Sequence, residues 1–145
     1  MTEVSTSRSS VRRSYRCGFY IRSSLVFYQA TVSEDGLLVL RDLLGVGRLR
    51  RRSGGMSDLT ITNRMEIAKI LAAMRPHVVF KRRQVEQGLL LLDRLPPPRD
   101  RAGFLRVCEF VDDFASLNFS KSRTVTAETV RTEFEKHGCC SPCND

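Results

Sequence analysis

Alternation of apolar and polar side chains along residues 19–28 constrains the fold of this chain most. Successive side chains of a β-strand point to opposite faces of the sheet, so the run predicts a strand with one buried face. The buried face would carry Phe19, Ile21, Leu25 and Phe27, and the other face Tyr20, Arg22, Ser24, Val26 and Tyr28. The outward face of this strand is therefore expected to be aromatic and basic.

A β-hairpin is predicted farther along the chain. Arg48-Leu-Arg-Arg-Arg52 and Asp58-Leu-Thr-Ile-Thr62 flank the turn sequence Ser53-Gly-Gly55, a pattern typical of two antiparallel strands joined by a tight turn. The inward side chains would be Leu49, Leu59 and Ile61. Arg48, Arg50 and Arg52 would then share the outer face of the hairpin.

Helical periodicity and helix-end signals predict five helices. Ser33 is expected to cap the first and Gly45 to end it, Asn63 with Glu66 forms a capping box for the second, and Thr126 caps the last. The helices are expected over residues 34–44, between Asn63 and Pro76, and over residues 81–95, 104–117 and 126–136. Together with a short N-terminal strand, this order predicts an α+β domain, a twisted antiparallel sheet with helices on one face.

The net charge of the chain indicates the class of molecule that it binds. The chain has 145 residues, a length that fits one domain, with 24 Lys and Arg against 16 Asp and Glu, a formal net charge of +8. Such a balance is typical of proteins that neutralise phosphates. No apolar run approaches a membrane span, so we expect an intracellular protein without a membrane partner. The acid-poor start fits an organelle transit peptide or a weakly paired strand equally well.

The uncovered face of the predicted sheet is the expected site of nucleic-acid binding. An antiparallel ribbon can enter the major groove of DNA, where arginine pairs with guanine. A solvated charged face that prevents edge-to-edge aggregation is the alternative. That alternative accounts less well for three outward arginines beside two tyrosines, so the sequence favours binding of double-stranded DNA.

Five cysteines indicate free thiols rather than a disulfide framework, because their number is odd and no export signal precedes them. They are Cys17, Cys108, Cys139, Cys140 and Cys143. Three of them form a cluster with His137 at the C-terminus, where a zinc site would need a fold to hold its ligands. We expect a Cys-rich tail over residues 137–145 and assign no metal ligand.

Several stretches of sequence carry residue identities that helix or strand periodicity alone does not require. They are Ser14-Tyr15 through Leu44-Gly-Val-Gly47, the Ser57-Asp58 turn, Lys81-Arg-Arg-Gln84 into Leu92-Asp-Arg-Leu-Pro96, Phe104-Leu-Arg-Val-Cys-Glu-Phe-Val-Asp112, and Leu117-Asn-Phe-Ser-Lys-Ser-Arg-Thr-Val-Thr-Ala-Glu-Thr-Val-Arg131. Over residues 14–134 the chain resembles the single-motif LAGLIDADG homing endonucleases encoded by group I introns in chloroplast ribosomal RNA genes.

The resemblance implies a homodimer whose sheets lie in the major groove and which cuts both DNA strands with Mg²⁺, held by an acidic residue at the foot of each LAGLIDADG helix. Phosphate contacts of the family fall on Ser120 and Lys121. In the family, a basic residue and a glutamine order the water molecules around the cleaved bond, and the corresponding positions in this chain are Lys81 and Gln29. Base-reading positions fall on Tyr15, Tyr20, Arg22, Ser24, Val26, Tyr28, Arg48, Arg50, Arg52, Asp58 and Thr60.

Departures from the family pattern concern catalysis. The LAGLIDADG helix would lie before Met1, so we expect the chain to lack the interface helix and the metal-binding aspartate. Ser33 stands where the family usually has an active-site arginine. We expect a DNA-binding domain over residues 14–136, after a flexible segment or partial strand over 1–13, that does not cleave and does not bind Mg²⁺ alone. The alternatives are an active nuclease whose start lies upstream and a maturase-like splicing factor that binds intron RNA.

Overall fold

The computed structural model describes residues 8–13, 19–97, 100–117 and 125–137, and the statements below concern these residues. The strands are β1 (Arg8–Arg13), β2 (Phe19–Ala30), β3 (Arg48–Arg52) and β4 (Met56–Ile61). The helices are α1 (Asp35–Leu44), α2 (Arg64–Met74), α3 (Arg82–Asp93), α4 (Arg101–Ser116) and α5 (Ala127–His137). The α+β class and the predicted order of elements, including the N-terminal strand, are confirmed.

The sheet has the strand order β1-β2-β4-β3, with β4 antiparallel to both β2 and β3. Gly54 and Gly55 turn the β3–β4 hairpin at φ 88° and 73°, a conformation that glycine adopts without strain. Of the inward positions predicted for the sheet, Ile21 and Leu49 are half-buried and the others are buried, namely Phe19, Leu25, Phe27, Leu59 and Ile61. Helix α1 packs against β3 and β4.

The start of α1 differs from the prediction. Residues Thr31–Ser33 form a 3₁₀ turn, and Glu34 occupies the N-cap position with φ −59° and ψ −26° and no side-chain cap. A capping serine needs an extended backbone just before the helix, whereas this chain is already helical when it reaches Ser33. The prediction that Ser33 caps α1 is therefore wrong. Gly45 ends the helix at φ 67° as predicted.

The other predicted caps are confirmed, one of them in part. The Asn63 Oδ1 accepts from two backbone N–H groups of the first turn of α2, at 2.9 and 3.2 Å. The carboxylate of Glu66 instead pairs with Lys69 at 3.0 Å, so half of the predicted capping box forms. At α5, the hydroxyls of Thr126 and Thr129 each accept from the backbone N–H of the other residue at 3.3 Å.

The described residues form two compact units. The first contains Ser23–Val85 with Arg8, and the second contains residues 9–13 and 19–22 with those from Glu86 onward. The first unit buries Leu37 and Ile67 with the inner side chains of β2 and β4. The second is built on an apolar cluster of Phe19, Leu91, Phe104, Val107, Cys108, Val111, Phe114, Ala127, Val130 and Phe134.

Helix α4 begins earlier than predicted because Asp100 caps it, with Oδ1 accepting from the backbone N–H of Gly103 at 2.7 Å. Cys108 is a buried free thiol. None of the helices in the described part of the chain combines the length and apolar character that a membrane crossing requires. The predicted boundaries at residues 14 and 136 stay a prediction, since most of both terminal segments lies outside the described residues.

Candidate nucleic-acid interface

The outer face of β2, β4 and β3 in the first unit carries the predicted arginines. In the antiparallel register, Tyr28 lies opposite Asp58, and Asp58 lies opposite Arg50. Because alternate residues of a strand share a face, this row and its neighbours define one surface, which we call the basic face. It consists of Val26, Tyr28, Arg48, Arg50, Arg52, Met56, Asp58 and Thr60.

Three exposed guanidinium groups line one edge of the basic face. The side chains of Arg50 and Arg52 are 60% and 40% exposed, and Arg48 is also exposed. All three belong to β3, and their spacing of two residues places them on the same side of the strand. The predicted outward orientation of these arginines is confirmed.

A buried carboxylate lies at the centre of the basic face. Asp58 is completely inaccessible to solvent, although the sequence analysis assigned it to direct contact with bases. Its Oδ2 accepts a hydrogen bond from Nε of Arg52 and lies 3.7 Å from a terminal nitrogen of Arg50. Its Oδ1 accepts from the hydroxyl of Thr60 at 3.0 Å. Asp58 thus contacts neighbouring side chains of the face and is covered by them.

The environment keeps Asp58 charged. Burial, the largest influence, raises the pKa of its carboxyl, but the hydrogen bonds from Arg52 and Thr60 and the charges of Arg52 and Arg50 together lower that pKa below its usual value. The same hydrogen bond raises the pKa of Arg52, against a smaller opposing effect of burial. The carboxylate and the guanidinium therefore stabilise each other's charged forms.

An aromatic ring completes the surroundings of Arg52. The Cζ atom of Arg52 lies 5.5 Å from the centre of the Tyr28 ring, within the range of a cation–π contact. Arg52 is thus held by Asp58 through Nε and by Tyr28 through the plane of its guanidinium. Its side chain remains partly exposed.

Two positions of β2 are less accessible than alternation predicts. Val26 shares the basic face but is only 4% exposed, and Ser24 is half-buried. The expectation that Val26 is presented outward is therefore wrong. Thr60, opposite Val26, is also half-buried.

The remaining DNA-contact positions lie elsewhere. Tyr20 and Arg22 belong to the part of β2 that forms the second unit, and both side chains are exposed. Tyr15, Ser120 and Lys121 lie outside the described residues. Gln29 pairs with Ser57 on the side of the sheet opposite to the basic face. Lys81 is half-buried immediately before α3, where its carbonyl oxygen accepts from the backbone N–H of Val85 at 3.0 Å.

An unpredicted polar cluster lies on the inner side of the hairpin. The carboxylate Oε2 of Glu34 accepts from Nε of Arg51 at 2.7 Å and from the hydroxyl of Ser57 at 2.8 Å. The hydroxyl of Thr31 lies 3.1 Å from that of Ser57. These contacts fasten the hairpin to the start of α1. The side chain of Arg51 is 73% exposed, so its charge did not require a partner, and no local sequence pattern predicts the cluster.

Hydrogen bonding also sets the charge state of this cluster. The hydrogen bond from Arg51 is the main cause of a lowered pKa of Glu34, with a further contribution from Ser57. The same contact raises the pKa of Arg51.

The side-chain Oε1 of Gln29 is buried without a hydrogen-bond partner among the described residues. Such an unsatisfied acceptor is costly unless water or another donor reaches it.

A bound metal ion requires several ligating side chains close together. No group of three or more His, Cys, Asp and Glu side chains among the described residues is placed to hold a metal ion. Hard divalent cations such as Mg²⁺ need carboxylate or carbonyl oxygens around them. The described residues therefore do not fit a Mg²⁺ site.

Known proteins resemble this chain over most of its length. DNA endonuclease I-CreI of Chlamydomonas reinhardtii is 37% identical over 120 residues, which cover 82% of the chain and 73% of that protein. DNA endonuclease I-CvuI of Chlorella vulgaris is 29% identical over 127 residues, which cover 88% of the chain and 79% of that protein. A comparison with protein-family models gave no match.

The fold is similar to that of a solved homing endonuclease. A crystal structure of I-CvuI in complex with the I-CreI target, with Mg present and the DNA not cleaved, superimposes with a TM-score of 0.82 at 27% identity, covering 92% of the chain and 88% of that structure. Fold and site define an α+β protein with a basic antiparallel sheet. The chain belongs to the LAGLIDADG homing endonucleases, a family of site-specific DNA endonucleases, which confirms the resemblance found in the sequence.

Proposed function

We propose that this chain binds double-stranded DNA through the basic face. The observation that carries the proposal is the row of three exposed arginines on β3, held around a buried carboxylate on one side of an antiparallel sheet. An antiparallel ribbon fits the major groove, where a guanidinium can donate two hydrogen bonds to guanine and others can reach phosphates. Both related proteins are named as DNA endonucleases.

Individual roles follow from exposure where the structure describes it. Arg48, Arg50 and Arg52 would reach base edges and phosphates from β3, with Tyr28 beside them. From the resemblance alone, the proposal extends to further base contacts and to phosphate contacts. These are Tyr15, Tyr20, Arg22, Ser24 and Thr60 for bases, and Ser120 and Lys121 for phosphates.

Cleavage is a separate proposal. In the family, Mg²⁺ supplies an activated water and stabilises the leaving oxygen. The described residues offer no group of three or more His, Cys, Asp and Glu side chains for such an ion. From the resemblance alone, Gln29 and Lys81 would act by orienting water near a phosphate, although Gln29 lies on the side of the sheet opposite to the basic face. We propose that the chain alone binds DNA without cutting it. A Mg²⁺-dependent double-strand break made by this chain would contradict the proposal.

Two further parts of the proposal come from the family. Members of this type act as homodimers on pseudo-palindromic sites, so we propose a homodimer on DNA. We also propose an organelle as the site of action, since the resemblance is to chloroplast intron endonucleases. The splicing alternative would require binding to intron RNA, whose deep and narrow major groove does not admit a β-ribbon. The basic face therefore favours DNA.

The test is the salt dependence of duplex binding, measured by fluorescence anisotropy. Log affinity should fall linearly with log salt concentration, and Arg48→Gln should reduce the slope by about 0.9, the value for one phosphate contact. Arg41→Gln is the matched control, because Arg41 pairs with Asp42 on α1 at 2.9 Å and lies off the basic face. The control should leave the slope unchanged.

A slope near zero for the unmodified chain would refute DNA binding by charge neutralisation. Equal effects of Arg48→Gln and Arg41→Gln would refute the assignment to the basic face. Preference for intron RNA over the duplex in the same assay would replace the proposal with the splicing alternative.

A further inference from the structure

We propose that Asp58 is a positioning residue that makes Arg52 the guanine-reading arginine of the basic face. The proposal rests on the proposed function, since it requires duplex DNA on this face. Asp58 itself does not touch DNA in this account, because it is completely buried. It acts by fixing the guanidinium beside it before DNA arrives.

Among the described residues, the contacts of Arg52 leave one edge of its guanidinium available. Its Nε donates to Asp58, and Tyr28 lies 5.5 Å from its Cζ atom. An arginine has five N–H donors, so the terminal nitrogens still have donors for the O6 and N7 atoms of guanine. A flexible arginine loses rotamer freedom when it binds, and a fixed one has already lost it. Arg52 is therefore the arginine best prepared for a two-pronged contact.

The other two arginines of the basic face are held less firmly. The terminal nitrogen of Arg50 lies 3.7 Å from the same carboxylate oxygen, too far for a hydrogen bond, and its side chain is more exposed than that of Arg52. Arg48 has no ionic partner among the described residues. The structure thus ranks the three by preorganisation, with Arg52 first, Arg50 second and Arg48 last. Guanine preference should follow the same order.

Because Asp58 is negatively charged, its removal should change general DNA affinity and guanine preference in opposite directions. A carboxylate on a DNA-binding face repels phosphates and lowers affinity for every duplex, whatever its sequence. Its retention in a buried position depends on the hydrogen bonds from Arg52 and Thr60 and on the nearby charge of Arg50, because an unpaired buried charge is strongly unfavourable. Removing the charge should therefore raise general affinity while releasing Arg52. General affinity and guanine preference should change in opposite directions.

The experiment compares the unmodified chain with Asp58→Asn on a pool of randomised DNA duplexes, sequenced before and after selection. Asp58→Asn should lose about tenfold in preference for guanine at the most discriminated position, within the range of one bidentate arginine contact. Its affinity for the unselected pool should rise about twofold to threefold at low salt. Asp42→Asn is the matched control, since it removes the same charge from an exposed side chain on α1. The control should keep the guanine preference.

Two further variants keep the proposal testable if Asp58→Asn does not fold, as checked by its thermal melt. Arg52→Lys keeps the positive charge but lacks the two-pronged donor edge, so it should lose guanine preference about tenfold. Thr60→Val removes the hydrogen bond to Oδ1 of Asp58 without changing any charge. It should reduce the preference by a smaller factor.

The outcomes separate this inference from the proposed function. If the unmodified chain shows no salt-dependent duplex binding, the proposed function fails, and the inference with it. If that chain selects guanine and Asp58→Asn selects it equally well, only the inference is overturned. A larger loss of guanine preference from Arg48→Lys than from Arg52→Lys would also overturn it.

Discussion

Replacement of Gly47 by alanine should destabilise the first unit strongly. Gly47 lies immediately before β3 with φ 112°, a conformation that costs a residue with a side chain about 1–3 kcal/mol. An added Cβ would also lie 2.7 Å from Cδ1 of Leu59 and 3.2 Å from Cγ1 of Ile61. Both are buried in the core, where overpacking costs about 1–3 kcal/mol. Together these give a loss of about 2–6 kcal/mol in the free energy of unfolding.

A loss of this size is a large part of the stability of a domain, which is about 5–15 kcal/mol in total. At about 2–4 °C per kcal/mol, Gly47→Ala should lower the melting temperature by at least about 4 °C. Gly36→Ala is the matched control, because a Cβ there meets no atom within 4 Å and alanine favours helix by up to about 1 kcal/mol. Circular dichroism melts measure both variants. A Gly47→Ala melt within one degree or so of the unmodified chain would refute the packing of Gly47 on β4.

Three further predictions concern acid sensitivity, the second core and helix capping. The pKa values of Glu34 and Asp58 are lowered in the folded state, so the stability that they contribute is present above their unfolded pKa values and is lost as the pH falls through the folded ones. Urea unfolding should therefore show a decrease in the free energy of unfolding below about pH 4, and Glu34→Gln should make this decrease smaller. A pH dependence of stability that Glu34→Gln leaves unchanged would contradict this prediction. Phe134→Ala should cost about 3–5 kcal/mol in urea unfolding, because Phe134 is 1% exposed, and a cost under about 1 kcal/mol would contradict its burial. Asp100→Ala should cost about 1 kcal/mol through loss of the α4 cap, and an unchanged thermal melt would contradict that cap.

The sequence predicted faces of strands well and contacts between side chains poorly. Period-two alternation places Arg48, Arg50 and Arg52 outward whatever their neighbours are. The burial of Asp58 depends on the register between β2, β4 and β3, which brings Tyr28 and Arg50 to its two sides. The alternation of side chains along one strand does not predict how that strand is aligned with its neighbours.

Long-range pairing explains the other differences. Glu34 and Arg51 are 17 residues apart in sequence, so no local pattern predicts their contact. Ser33 has the residue type of an N-cap, but the turn before it already has helical backbone angles. The identities of polar residues in the block from Asn118 to Arg131 indicated the family although periodicity alone did not.

Hydrogen exchange with and without a DNA duplex shows whether the basic face is the surface that binds DNA. If the basic face binds DNA, peptides covering β3 and β4 should exchange more slowly when the duplex is present, because the hairpin is shielded and its hydrogen bonds open less often. Peptides from α4 and α5 should show much smaller changes. Protection confined to α4 and α5, or no protection at β3 and β4 under conditions where the duplex is bound, would contradict DNA binding by the basic face.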